Sequence, residues 1–161
     1  MTTVNAYVPP AVGPTNVYSD GTNHVFNAST GAPVRALDQP CLSPTLASGR
    51  YFELVCVLYN GKYSGRVDAH DPATGNLLWS FTGDGKLQSA PFVVNGELYV
   101  ASSGGTLYYL NATTGHLDGS VSVGSTFGLN RFAGEYWWTM AGGQGVLAVP
   151  IGNRMEIWSG P

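Results

Sequence analysis

Hydrophobic positions along this chain fall in short runs rather than helical stripes. No stretch of about 11 residues keeps apolar side chains at i, i+3, i+4 and i+7, the spacing of an amphipathic helix. Runs rich in Val, Tyr, Leu, Phe and Trp are broken instead by Gly, Asn, Asp, Ser and Pro, the punctuation of strands and turns. Pro91-Phe-Val-Val, then Asn95-Gly96, then Glu97-Leu-Tyr-Val-Ala is one such stretch. Asn-Gly tolerates positive φ at both turn positions and so predicts a tight hairpin. The pattern is that of an all-β chain.

The runs repeat. Ser89 to Gly115 reads as a Pro-led strand, a turn, a strand ending in small residues, a Gly turn, a third strand and a Thr-Gly turn. The same skeleton spans Ser43 to Gly75 and Asn16 to Gly31, and a degenerate copy spans Tyr136 to Gly152. A fourth strand is expected after each closing glycine: Pro33–Leu37, Asn76–Phe81, His116–Val123 and Arg154–Trp158. A four-stranded unit of ~40 residues is a propeller blade. One domain over residues 1–161 is therefore expected, with whole blades at roughly 5–38, 41–82, 87–123 and 126–160. They close as a four-bladed ring or form half of an eight-bladed ring completed by another chain.

Ala69-His-Asp71-Pro-Ala-Thr-Gly75-Asn-Leu-Leu-Trp79 carries the sharpest motif. It resembles the tryptophan-docking pattern of the PQQ-like (quinoprotein-type) β-propeller repeat family. Ser89-Ala-Pro91 and Gly104-Gly-Thr-Leu-Tyr-Tyr-Leu are similar to that family as well. The residues give their own reasons. Asp71 accepts hydrogen bonds from turn amides between Ala73 and Gly75. Gly75 supplies a φ that a Cβ resists. Trp79 offers a flat face to the next blade while its N–H seeks a backbone acceptor. Blade one has Pro33-Val-Arg35 where the Trp is expected, blade three has Asp118-Gly119, and blade four has Trp158 two residues further on.

The family includes quinone-dependent alcohol dehydrogenases. The resemblance implies that in them the quinone stacks on a Trp at the propeller axis and calcium is held by Glu, Asn and Asp. No such set stands out here, so neither PQQ nor Ca²⁺ is expected as a cofactor. No catalytic residue and no metal ligand is singled out. His24, His70 and His116 fall at similar repeat positions, hence in different blades and at the surface. There is no Gly-x-Ser-x-Gly nucleophile elbow.

Seven Lys and Arg, against ten Asp and Glu, are too few to track a phosphate backbone, so a nucleic-acid partner is excluded. No apolar run reaches the ~18–20 residues of a membrane span. The first residues have neither the basic start nor the apolar stretch of a signal peptide. Charged residues make up only 11% of the chain, far below the average ~25%. That composition suits an extracellular, cell-envelope or particle-surface protein.

Equal arms about Ser48-Gly49 place Cys41 opposite Cys56, close enough for a disulfide, with a pair of buried thiols as the alternative. Asn27-Ala-Ser29 and Asn111-Ala-Thr113 are candidate N-glycosylation sequons, although repeat descent alone explains them. Trp137 and Trp138 point to opposite faces of one strand and, with Trp158, are the candidate interface. Terminal repeats depart from consensus where they meet something other than a like neighbour. The expected function is a non-catalytic binding or structural module that meets a protein or glycan partner and self-associates or assembles with another chain. The alternative is a fragment of a PQQ-dependent alcohol dehydrogenase.

Overall fold

The computed structural model describes residues 10–19, 22–37, 41–59, 62–124, 140–151 and 154–159. Among them lie fifteen strands in four antiparallel sheets, each formed by neighbours in sequence. Blade one contains β1 (Ala11–Val12), β2 (Asn16–Ser19), β3 (His24–Asn27) and β4 (Pro33–Ala36). Blade two contains β5 (Thr45–Ala47), β6 (Arg50–Tyr59), β7 (Lys62–His70) and β8 (Leu77–Phe81). Blade three contains β9 (Phe92–Val94), β10 (Glu97–Ala101), β11 (Thr106–Asn111) and β12 (Leu117–Ser122). Blade four contains β13 (Ala141–Gly143), β14 (Val146–Ile151) and β15 (Arg154–Ser159). The first strands of successive blades touch in turn, β1 on β5, β5 on β9 and β9 on β13. That succession is the inner wall of a propeller.

Three hydrophobic cores sit between the four blades. Tyr18, Val25, Leu37 and Tyr51 fill the first. Phe52, Leu54, Val67, Leu98, Val100 and Leu110 dominate the second. Leu107, Val123, Leu147, Val149 and Ile151 form the third. Strand alternation explains the division, because successive residues of β6 face blade one and blade three in turn.

The closing turns repeat bond for bond. Asn27, Asp71 and Asn111 each accept, at Oδ1, the amides two and three residues on, at 2.8–3.0 Å. Their backbone carbonyls each accept the amide of Gly31, Gly75 or Gly115 at 2.8 Å. Those glycines have φ of 69°, 80° and 73°, the left-handed region that disfavours a Cβ. The amide of Gly75 therefore serves the Asp71 backbone, while the carboxylate takes Ala73 and Thr74. The residues read as sequons are the Asn members of this turn family.

Blade four differs from the expectation. Gln144 and Gly145 have φ of 51° and 76°, matching Ser48-Gly49 at 51° and 67° and Asn95-Gly96 at 53° and 83°. Each pair closes a first-to-second-strand hairpin, so β14 is a second strand and β15 a third. The segment read as the fourth strand is thus the third. Among the described residues, blade four has three strands.

Candidate functional site

Register aligns the blade faces. Tyr18, Val25 and Arg35 form one row across blade one. Phe52, Ala69 and Trp79 form the equivalent row in blade two, and Tyr99, Tyr109 and Gly119 that in blade three. In all three the ladder shifts register beside the third-strand member, so the fourth-strand residue stands at the same point. A Cβ on Gly115 would meet Trp79 at 2.6 Å, so the ring lies flat on that glycine. A Cβ on Gly75 would meet Arg35 Nε at the same distance. Arg35 is therefore the docking residue of blade one. Trp79 is backed by Phe52, ring centroids 5.7 Å apart, as Arg35 is backed by Tyr18 at 6.0 Å. In blade three a Cβ on Gly119 would run into the Tyr109 hydroxyl. Tyr109 crosses the space that Trp79 fills in blade two.

Trp79 is half-buried, and its Nε1 has no hydrogen-bond partner, contrary to the acceptor expected for it. Arg35 Nη2 is likewise unpartnered. Docking works through the flat face, not through a hydrogen bond. Ala69 is fully buried and keeps the room that the Trp79 ring needs.

The face of blade two toward blade one is polar. Glu53 and Asp68 are each 1% exposed. Tyr51 donates to Glu53 Oε2 at 2.8 Å, and His70 Nε2 lies 3.1 Å from Glu53 Oε1. His70 Nδ1 lies 3.1 Å from the Gly75 carbonyl, which only accepts, so that nitrogen carries hydrogen. Burial opposes charge on the ring, but the hydrogen bond and charge of Glu53, the Gly75 carbonyl and the Asp68 charge outweigh it and raise the pKa. Asp68 is held by Arg66 Nε at 2.9 and 3.0 Å and by Ser80 Oγ at 2.6 Å. The surface expectation for His70 is thus corrected: it is buried, beside Glu53 and the Gly75 carbonyl. The signal was available in part, since β6 and β7 alternation places Tyr51, Glu53, Asp68 and His70 on one face.

Cys41 and Cys56 are joined as a disulfide with Cα atoms 5.6 Å apart. Trp158 lies on β15 across from Leu147 and packs into the core shared with blade three. It holds the third-strand place of His70 and Leu110, not that of Trp79. Trp137 and Trp138 lie outside the described residues. No group of three or more His, Cys, Asp and Glu is arranged to hold a metal among the described residues. The four inner strands read Ala-Val, Thr-Leu-Ala, Phe-Val-Val and Ala-Gly-Gly. With neither carboxylate nor tryptophan, they do not fit an axial quinone and calcium.

A groove of about 400 Å³ lies between blades three and four. Tyr99, Tyr109 and Trp158 line it. Glu97, on the Tyr99 face of β10, has its carboxyl pKa raised by burial and then by the charge and hydrogen bond of Asp118. Burial, Glu97 and Tyr109 in turn raise the Tyr99 phenol.

Sheets of neighbouring antiparallel strands, joined face to face through docked side chains, define a β-propeller. The family of the outer membrane protein assembly factor BamB, built of PQQ-like repeats, matches residues 24–138, well over half of the chain. The chain belongs to that family. A search of curated proteins returns no match. BamB from Moraxella catarrhalis superposes with a TM-score of 0.52 at 16% identity, over 99% of this chain and 59% of that one. The computationally designed Ika4 protein gives 0.67 at 14% identity, over 94% and 89%. Quinohemoprotein alcohol dehydrogenase ADHIIG from Pseudomonas putida HK5 gives 0.63 at 16% identity, over 89% and 28%. At these identities the likeness is one of fold.

Proposed function

We propose that the chain is a non-catalytic propeller module whose two open blade faces are completed by another chain. One observation carries this reading: residues at equivalent places differ in exposure. Val67 and Leu107 are 0% and 2% exposed beneath the next blade, whereas Met155, at their place in blade four, is 57% exposed. Ile157, at the place of the buried Ala69, is 64% exposed. At the other end, Val12 on the outer face of blade one is 68% exposed. Apolar positions that a neighbouring blade covers elsewhere are the mark of an interaction surface.

A second copy fits both ends at once. Blade four presents the kind of face that blades one to three give their successors. Blade one presents the kind that blades two to four give their predecessors. Head-to-tail contact therefore reuses the existing interblade geometry, and a two-fold pair closes the ring. The partner class is a protein, this chain itself included, or a glycan-bearing surface, without PQQ or Ca²⁺. The disulfide and the sparse charge support an extracellular, envelope or particle-surface setting. The alternative is a segment of a quinone-dependent alcohol dehydrogenase, favoured by likeness of fold to such an enzyme.

Light scattering on the 161-residue chain tests the reading. A mass of twice the 17.0 kDa of one chain, falling to one chain for Ile157→Asp, is expected. A wild-type monomer that neither captures a partner protein nor binds a glycan array overturns it. A chromophore and dye-linked alcohol oxidation on adding PQQ and Ca²⁺ point to the dehydrogenase segment instead.

A further inference from the structure

Among the described residues, the interface between blades three and four shows neither half of the docking found at the interface before it. Blade two offers Trp79, and blade three receives it over Gly115. Blade three carries Gly119 at the offering position. In blade four, β15 follows β14 across residues 152–153, so the described residues hold no third-to-fourth-strand turn to receive a ring. The space left is the 400 Å³ groove, walled by Leu107, Tyr109, Val121, Leu147 and Trp158. Trp158 Nε1 is buried beside it without a hydrogen-bond partner. The groove is bounded by β15, and among the described residues nothing pairs with the outer edge of that strand. In blades one to three the same edge is covered by β4, β8 and β12.

An edge strand presents free backbone donors and acceptors that only another extended backbone matches in full. A groove with flat aromatic walls takes a flat apolar side chain. We infer that β15 and this groove together bind an extended segment of a partner polypeptide. The segment pairs with β15 as a fourth strand and sends an aromatic side chain into the groove, against Tyr109 and Trp158. Main-chain bonds supply the affinity and the aromatic supplies the selectivity. A second copy docked through blade faces leaves this edge open, so ring completion and peptide capture stand or fall separately.

The probe is a fluorescein-labelled peptide with the sequence of residues 74–83, which contains the fourth strand of blade two. Titrating the 161-residue protein into it, with anisotropy as readout, is expected to give saturable binding. Replacing the peptide Trp by Ala weakens binding about tenfold or more, the scale of an anchoring aromatic. At saturation, amide shifts concentrate on β15 and β12. The double variant Tyr109→Ala/Gly119→Trp gives blade three the small–large pair of Ala69 and Trp79, fills the groove from within and abolishes binding. The peptide substitution keeps the test independent of how that variant folds. Three results each overturn the inference: no saturation into the millimolar range, equal affinity of the Ala peptide, or a folded double variant that binds like wild type. Occupation of the edge by another part of the chain would give the first of these.

Discussion

Blade two turns two unlike faces to its neighbours. Toward blade three it offers Phe52, Leu54, Val67 and Ala69, all fully buried, beneath the half-buried Trp79. Toward blade one it offers Tyr51, Glu53, Asp68 and His70, also buried but tied by hydrogen bonds and ion pairs. The docked residue differs in kind as well, Trp79 on one side and Arg35 on the other. Both interfaces use the same register and the same glycine seat. A propeller joint thus needs a flat group over a Cβ-free turn and tolerates either an apolar or a polar bed beneath it. The energetic consequences differ: a dry bed is stabilised by area, whereas a polar bed stays neutral only while every partner is in place.

The largest expected effect is on the dry face. Phe52→Ala removes a fully buried ring beneath Trp79 and should cost about 3–5 kcal/mol in urea-melt stability. Ile157→Ala, at an uncovered place in blade four, should stay within about 0.5 kcal/mol in a monomeric sample. Comparable losses at both positions would show the blade four face to be covered and would erase the difference between ends and middle.

Next comes the crosslink beside the dry face. Cys41 and Cys56 are 15 residues apart, a loop for which chain-entropy reasoning gives about 3 kcal/mol. The oxidised protein should melt higher than the same protein in reductant, and Cys56→Ser should remove that gap. A gap that persists in the variant would place the redox effect elsewhere. Trp79→Ala follows at about 2 kcal/mol, below a full core truncation because the ring is only half-buried. Arg35→Ala should cost less, since its long aliphatic stem covers less apolar area than an indole. Asp71→Ala should cost less than Trp79→Ala, through the two turn amides it leaves unbonded. The reverse order would mean that the turn, not the docked ring, fixes the joint.

The repeat was legible because its signals are local. A turn closed by Asn or Asp four residues before a glycine is visible at Asn27, Asp71 and Asn111, and alternation exposes the strands between. In blade four the segment Arg154–Trp158 takes the third place and not the fourth, and the sequence holds a sign of it: four residues before Gly152 stands Ala148, not Asn or Asp. Matching Gln144-Gly145 to Asn95-Gly96 would have placed β15 third. Arg35 as a substitute for tryptophan was not legible, because the role rests on a seat in the next blade and not on neighbours in sequence. The Glu53–His70 pairing was hidden likewise: one acid and one histidine on opposite strands meet only once the β6–β7 register is set.

The smallest expected effect sharpens the contrast most directly, because it belongs to the polar face alone. Around His70 stand Glu53 on β6, Asp68 and Arg66 on β7, the Tyr51 hydroxyl, and Arg35 reaching over from blade one. The carboxylates prevail over burial, so the folded pKa of His70 lies above its ordinary 6.5. A base with a raised folded pKa stabilises through its protonated form. That contribution is complete below the unfolded value and is lost as pH rises through the folded one. Wild type should therefore lead His70→Gln most at about pH 5.5, with the lead shrinking toward about pH 8.5 in paired thermal melts. Trp79→Ala, on the dry face, should trail wild type by a margin that does not track pH over this range. A lead of His70 that widens with rising pH would mean that burial prevails and the ring is held neutral. The bed between blades one and two would then be a hydrogen-bonded joint without an ion pair at its centre.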